Sequence, residues 1–257
     1  MKSLCSLVTA ILLTATMVVP AAGQSALNEI LAAGELKVGV TGDWNPMTIR
    51  DPATNTYKGY DVDIMTQLAK DLDVNLKFVA TDWKTLVNGI VAGNYHITGS
   101  ASISPPRMKA AGFSESYIAV QILPFTTSDK IERFEGWNSV NKSDVKVAAT
   151  LGTTFEKYVK EWFPNADIKI VEAPVLGHQE VLSGRSDVFI TSNIEGATLT
   201  KKFPHVLQIP VESARAPSPI AMLLPQADQV WINYVNNWIK VKQAQGFFKK
   251  TAAEWGM

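Results

Sequence analysis

Cysteine occurs once in 257 residues, at Cys5, so no disulfide framework and no thiolate zinc cluster can form within the chain. Histidine is also scarce: His96, His178 and His205 lie far apart without metal-ligand spacing, and they read as structural or surface side chains. No Gly-x-Gly-x-x-Gly fingerprint, Walker loop or nucleophile elbow is present, which removes support for nucleotide chemistry and serine-type hydrolysis. An excess of one charge is missing too. The 24 Lys and Arg balance 24 Asp and Glu, giving no concentrated basic face for nucleic acid or an anionic membrane.

Long apolar runs are limited to one, from Leu7 through Val19, shorter than the roughly 20 residues a spanning helix needs. Lys2 precedes it and Ala21, Ala22 and Gly23 follow it, the layout of a secretory signal peptide. Residues 1–23 are therefore expected to be cleaved on export to the periplasm, the mature chain starting between Gln24 and Ala26. Cys5 and Lys2 would leave with the leader, and the exported chain would carry one net negative charge and no thiol.

What remains alternates strand and helix. Leu36 to Val40 reads as a buried strand, and Asp61 to Leu72 as a helix with Ile64, Met65, Leu68 and Leu72 on one face. A strand follows at Val74, Leu76 and Phe78. A helix capped by Asp82 and carrying Trp83, Leu86, Val87, Ile90 and Val91 then leads into a strand at Tyr95. A second series begins near Asp144: strand Val145 to Ala149, helix Thr153 to Phe163, strand Ile168 to Val171, helix Leu176 to Leu182, strand Asp187 to Ile190. Such alternation builds parallel sheets covered by helices, and two series imply two sheets. The extended runs Gln121 to Thr127 and Pro219 to Leu224 suit two crossings between lobes. A final helix from about Gln226 to Gly246, with Trp231, Tyr234, Val235 and Trp238 in one stripe, is expected to return to the first lobe. Two hinged lobes leave a cleft, where small ligands usually bind.

One segment suggests what that cleft holds. Ser100 to Arg107 reads Ser-Ala-Ser-Ile-Ser-Pro-Pro-Arg and follows the Tyr95-His96-Ile97 strand, placing three hydroxyls and a guanidinium where open α/β sheets collect ligands. Arginine grips a carboxylate through two charge-assisted hydrogen bonds. The same composition also makes a solvated turn.

Several motifs in order sharpen the picture: Thr41-Gly42-Asp43-Trp44-Asn45-Pro46, Gly59-Tyr60-Asp61-Val62-Asp63, Thr81-Asp82-Trp83, Ser102 through Arg107, Phe113-Ser114-Glu115-Ser116-Tyr117, Gly152-Thr153-Thr154 and Ile194-Glu195-Gly196. With these the chain resembles the type II periplasmic binding-protein fold in its polar amino-acid-binding branch. Within it, the chain is most similar to the cyclohexadienyl dehydratases, which convert prephenate to phenylpyruvate and arogenate to phenylalanine. The resemblance implies an α/β fold of two lobes, each a mixed, mostly parallel sheet flanked by helices. Lobe one would span residues 24–126 and return at 221–257, with lobe two at 127–220. It also implies that Trp44 and Trp83 sandwich the ligand, that Ser100, Ser102 and Arg107 hold its carboxylate, and that Thr153 and Thr154 touch it from a helix start. Core packing is the other reading of each tryptophan, and a plain helix cap that of the threonines.

The departures from the pattern bear on function. The binders and the dehydratases carry an aspartate for the ligand ammonium where this chain has Ser192, and leaving a buried ammonium unpaired costs several kcal/mol. An ordinary α-amino acid is disfavoured unless Asp43 or Glu195 compensates. Thr150 stands in place of an asparagine, and Phe155 in place of a polar residue. Glu195 matches the proposed general acid of the dehydratases, and a glutamic acid in a closed apolar cleft is raised toward neutrality. Its plainer role is an exposed acid in a helix first turn. The expected function is a periplasmic solute-binding protein for a small carboxylate-bearing solute, serving an ABC importer permease and needing no cofactor or metal. Asp43, Ser192 and Glu195 would meet the rest of the ligand, and the tryptophans could add cation–π attraction. A dehydratase with catalytic Glu195 is the alternative.

Overall fold

The computed structural model describes residues 25–257, so the expected leader lies outside the described residues. Lobe one is built from α1 (Ala26–Ala33), β1 (Glu35–Val40), the strands β2 (Asp43–Trp44), β3 (Thr48–Arg50) and β4 (Tyr57–Lys58), then α2 (Tyr60–Asp71), β5 (Asn75–Ala80), α3 (Leu86–Val91), β6 (Ile97–Ser102), α4 (Pro105–Met108) and β7 (Gly112–Phe113). The ten-residue strand β8 (Ile118–Thr127) leads into lobe two: β9 (Lys146–Thr150), α5 (Thr154–Trp162), β10 (Asp167–Val171), α6 (Gly177–Leu182), β11 (Val188–Ser192), α7 (Asn193–Lys202) and β12 (Val206–Gln208). A second ten-residue strand, β13 (Arg215–Leu224), returns to lobe one, followed by α8 (Gln229–Ala244) and α9 (Phe247–Glu254).

The expectation of two separate sheets is corrected by the hydrogen bonding. Strand order β10-β9-β11-β8-β13-β6-β1-β5 makes one curled sheet, with β12 added to β8 and β7 to β13, while β2, β3 and β4 form a small antiparallel sheet of their own. Each half is parallel: β5-β1-β6 in lobe one, β10-β9-β11 in lobe two. The long strands β8 and β13 pair with each other, Val120 opposite Ser218 and Ile122 opposite Arg215, before each joins its own half sheet. The crossing strands thereby satisfy their backbone groups where they would otherwise lie bare.

On two helices the foreseen stripes are the buried faces, whereas on α3 only Leu86 and Ile90 of the foreseen stripe are buried and Val91 is exposed. On α2, Ile64, Met65 and Leu68 are inaccessible or nearly so, and on α8 Trp231, Val235, Trp238 and Ile239 are buried. Burying side chains of this size contributes about 1.5–3 kcal/mol each. Polar tips fix the direction: Trp231 Nε1 donates to His96 O at 3.1 Å and Trp238 Nε1 to Asp71 Oδ2 at 2.7 Å, seating α8 on lobe one. His96 is structural, its Nδ1 accepting the Lys37 N–H at 3.1 Å.

Candidate functional site

Between the lobes lies a cleft enclosing about 590 Å³ of space free of protein atoms, its open mouth included. Asp43, Trp44, Trp83, Ser100, Ser102, Arg107, Thr153, Thr154 and Glu195 all line it. Ser192 does not: it is fully buried as the N-cap of α7, its hydroxyl accepting the Glu195 N–H at 3.2 Å.

Arg107 stands on the short helix α4. Its Nη1 donates to Ser102 O at 3.2 Å and its Nη2 crosses to Gly152 O of lobe two at 3.1 Å. Among the described residues no carboxylate pairs with it, and desolvation lowers its pKa to about 10. Opposite it, α5 starts. Thr153 caps that helix, accepting from Glu156 N at 3.4 Å and donating to Thr150 O at 2.6 Å, so its hydroxyl is engaged in both directions. The N–H groups of Thr154 and Phe155 have no protein partner among the described residues. A guanidinium facing free N–H groups at a helix N-terminus, where the dipole is positive, is an arrangement that attracts an anion.

Ser100 is placed differently from the reading of the sequence. It belongs to strand β6 rather than to the turn beyond it, with φ of 61° at a register shift between β6 and β13. Its hydroxyl donates to Asp61, and its N–H donates to Tyr117 Oη at 2.9 Å. Tyr117 Oη in turn donates to Asp61 Oδ1 at 2.7 Å. Burial raises Asp61 to about 6 against the pull of these two donors. Ser100 therefore lines the cleft floor with its hydroxyl turned down into the core. Ser102 Oγ remains at the cleft, 3.5 Å from Thr154 Oγ1.

Trp83 lies in the turn before α3, not on it. Its Nε1 donates to Asp43 Oδ1 at 2.9 Å. Trp44 and Trp83 meet edge to face, centroids 6.0 Å apart and planes at 77°, so they form one corner of the wall and not two faces of a sandwich. Trp44 is buried, with an Nε1 that finds no partner.

Two acids, Asp43 and Glu195, also line the cleft. Glu195 sits in the first turn of α7 and accepts a hydrogen bond from the Thr191 hydroxyl. Burial, helped by repulsion from Asp43, raises Glu195 to about 8. Asp43 is itself raised, chiefly by burial. His178, assigned to structure or surface from the sequence, is in fact on the cleft wall, and burial lowers it to about 4, leaving a neutral ring near neutral pH. Thr191 and His178 were missed because each is a lone polar residue without a motif. Phe155, Phe189 and Ile190 add apolar wall.

The lobes touch at the rim. Gly152, at φ of 78°, lies so close to the Trp83–Lys84 backbone that a Cβ there would sit 2.5 Å from Lys84 N. Lys84 also pairs with Glu172 across the mouth. Among the described residues no helix is long and apolar enough to cross a membrane, and no group of His, Cys, Asp and Glu suits a metal ion.

The family description "Bacterial extracellular solute-binding proteins, family 3" matches residues 36–257. The chain is 27% identical over 235 residues to a cyclohexadienyl dehydratase of Pseudomonas aeruginosa, covering 91% of this chain and 87% of that one. It is 24% identical over 236 residues to the L-cystine-binding protein TcyJ of Escherichia coli, again covering 91% and 87%. Among solved structures, an ancestral amino acid-binding protein described as a precursor of cyclohexadienyl dehydratase superposes with a TM-score of 0.83 at 32% identity, covering 90% of this chain and 99% of that one.

Proposed function

We propose that this chain, which belongs to the bacterial extracellular solute-binding proteins of family 3, captures a small carboxylate-bearing solute in the periplasm and hands it to the permease of an ABC importer. The observation that carries this reading is the Arg107 guanidinium, desolvated and without a carboxylate partner among the described residues, opposite the free N–H groups of Thr154 and Phe155. A ligand carboxylate would complete both sets of donors at once and hold the lobes together. Relatives named for binding cystine and glutamine support the solute class. A hinge would work where β8 and β13 pair with each other, Val120 opposite Ser218 and Ile122 opposite Arg215, a few residues from the expected lobe boundaries at 126 and 220.

A second reading is favoured by one specific feature. Glu195 is held in the cleft as a proton-bearing acid near neutral pH, which suits a general acid for the departing hydroxyl of prephenate. The cyclohexadienyl dehydratase among the relatives adds to that reading. One assay separates the two: purified protein is mixed with prephenate at neutral pH and phenylpyruvate is followed. Turnover that disappears in Glu195→Ala establishes the enzyme, whereas no turnover together with a thermal shift from a small carboxylate retires it.

A further inference from the structure

The cleft reaches both faces of the lobe-two sheet. Successive side chains of a strand point to opposite faces, and on β9 and β11 Ala149 and Ile190 share a core with Val159 of α5, whereas Ala148 and Phe189 share one with Val181 of α6. Phe155 and Ile190 line the cleft from the first face, and Gly177, His178 and Phe189 line it from the second. The space therefore bends over the strand ends, past Thr150 and Thr191, from the Arg107 seat beside α5 to a recess at the start of α6.

That recess has no charged wall of its own. Leu176 and Gly177 line it beside the His178 ring, which stands edge-on to Phe189 and tilted against Phe203, with centroids 6.3 Å apart in each pair. The charge nearest this wall is a cation: Lys202 Nζ lies 5.2 Å from the Phe203 ring centroid. The two acids of the cleft come from other elements, Asp43 from β2 and Glu195 from α7. A cationic tail entering the recess would find no carboxylate in its wall and a lysine close by, whereas a large uncharged group would bury apolar surface there. The tryptophans offer no equivalent slot, because Trp44 and Trp83 meet edge to face at 77° and no flat group fits between them.

We propose that this recess is the side-chain subsite of the solute, that it takes a large uncharged side chain, and that His178 is the residue that determines the preference. The inference rests on the reading of the cleft as the solute site with a carboxylate at Arg107. It does not depend on whether Glu195 is ionised. Asp43 and Glu195 remain free to receive whatever group the solute carries beside its carboxylate, an ammonium included, so an α-amino acid or a 2-oxo acid with a bulky apolar side chain fits.

Calorimetry on the full chain tests this with L-phenylalanine, L-lysine and L-alanine, and with phenylpyruvate and pyruvate, which present the phenyl and methyl groups without the ammonium. In the wild-type protein the phenyl member of at least one pair is expected to bind about tenfold or more tighter than its methyl counterpart, and phenylalanine tighter than lysine. His178→Ala removes the wall without touching an Arg107 contact and should bring the phenyl-to-methyl ratio down to about threefold or less, while His178→Phe, which restores a ring, should bring it back. Gly177 is not among the residues at positive φ, and a Cβ there would meet Phe189 Cβ at 3.7 Å, an ordinary contact. Gly177→Ala is therefore expected to fold, to narrow the recess, and to weaken the phenyl probes selectively. Lysine binding tighter than phenylalanine, equal binding of phenyl and methyl members, binding of none of the probes, or a ratio unchanged in both His178→Ala and Gly177→Ala overturns the subsite. Arg107→Ala separates this from the underlying reading: affinity for the phenyl probes unchanged in that variant, with the His178 effects intact, removes the carboxylate seat and leaves the recess standing.

Discussion

Truncation of Arg107 to alanine separates a ligand contact from a structural brace. Its guanidinium is held by two carbonyls at 3.2 and 3.1 Å. Desolvation lowers its pKa to about 10. At about 1.4 kcal/mol per unit, the buried charge costs the fold on the order of 3 kcal/mol. Two long hydrogen bonds from a charged donor offset roughly that amount. The terms nearly cancel, so Arg107→Ala is expected to change the unfolding free energy in urea by no more than about 1–2 kcal/mol. Binding behaves differently, because a ligand carboxylate adds charge-assisted bonds to those with the two carbonyls. Loss of these weakens affinity by about 2–5 kcal/mol, roughly 30-fold to several thousand-fold in Kd. Calorimetry with any small carboxylate that raises the thermal midpoint of the wild-type protein reads the second quantity. Unchanged affinity, or a stability loss above about 3 kcal/mol with affinity retained, would mean that Arg107 merely braces Gly152.

Three further outcomes follow from the same geometry. Gly152→Ala places a Cβ 2.5 Å from Lys84 N at a φ of 78°, so the rim contact should be lost, the radius of gyration in small-angle scattering should exceed that of the wild-type protein and affinity should fall by about tenfold or more. Glu195 is raised from 4.5 to about 8, so between those values the unfolded chain releases a proton that the folded protein keeps, and stability declines as pH rises through that window. Glu195→Gln removes this contribution, and urea denaturation from pH 4 to 9 should show the mutant with the flatter profile. Asp61→Ala leaves the Ser100 and Tyr117 hydroxyls without their acceptor in the core and should cost about 2–4 kcal/mol in the same assay, whereas a loss under 0.5 kcal/mol would mean the triad is idle.

The amphipathic patterns carried the architecture well, because α2 and α8 bury the stripes their spacing marks and β1 and β5 alternate apolar with other residues between helices. The union of both halves into one sheet was not legible. It depends on β8 pairing with β13 across about a hundred residues, and periodicity is blind to partner choice. Arg107, Thr153 and Thr154 reach the cleft wall from a strand end and a helix start, features visible in the sequence, whereas Glu195 was singled out by the resemblance alone. Ser100 was misplaced since a strand residue at positive φ, held by a distant Asp61 and Tyr117, leaves no local sign. Ser192 was assigned to the cleft by its place after β11, but the first turn of α7 claims its hydroxyl. His178 went unnoticed for the opposite reason: nothing near it in sequence says that α6 begins at the cleft wall.

The crystal structure of the chain bound to its tightest carboxylate ligand tests the central claim most directly. The account predicts both carboxylate oxygens within hydrogen-bonding distance of the Arg107 guanidinium, with the N–H groups of Thr154 and Phe155 completing the seat. A ligand whose anionic group lies elsewhere, with the guanidinium still occupied by the Ser102 and Gly152 carbonyls, would contradict it.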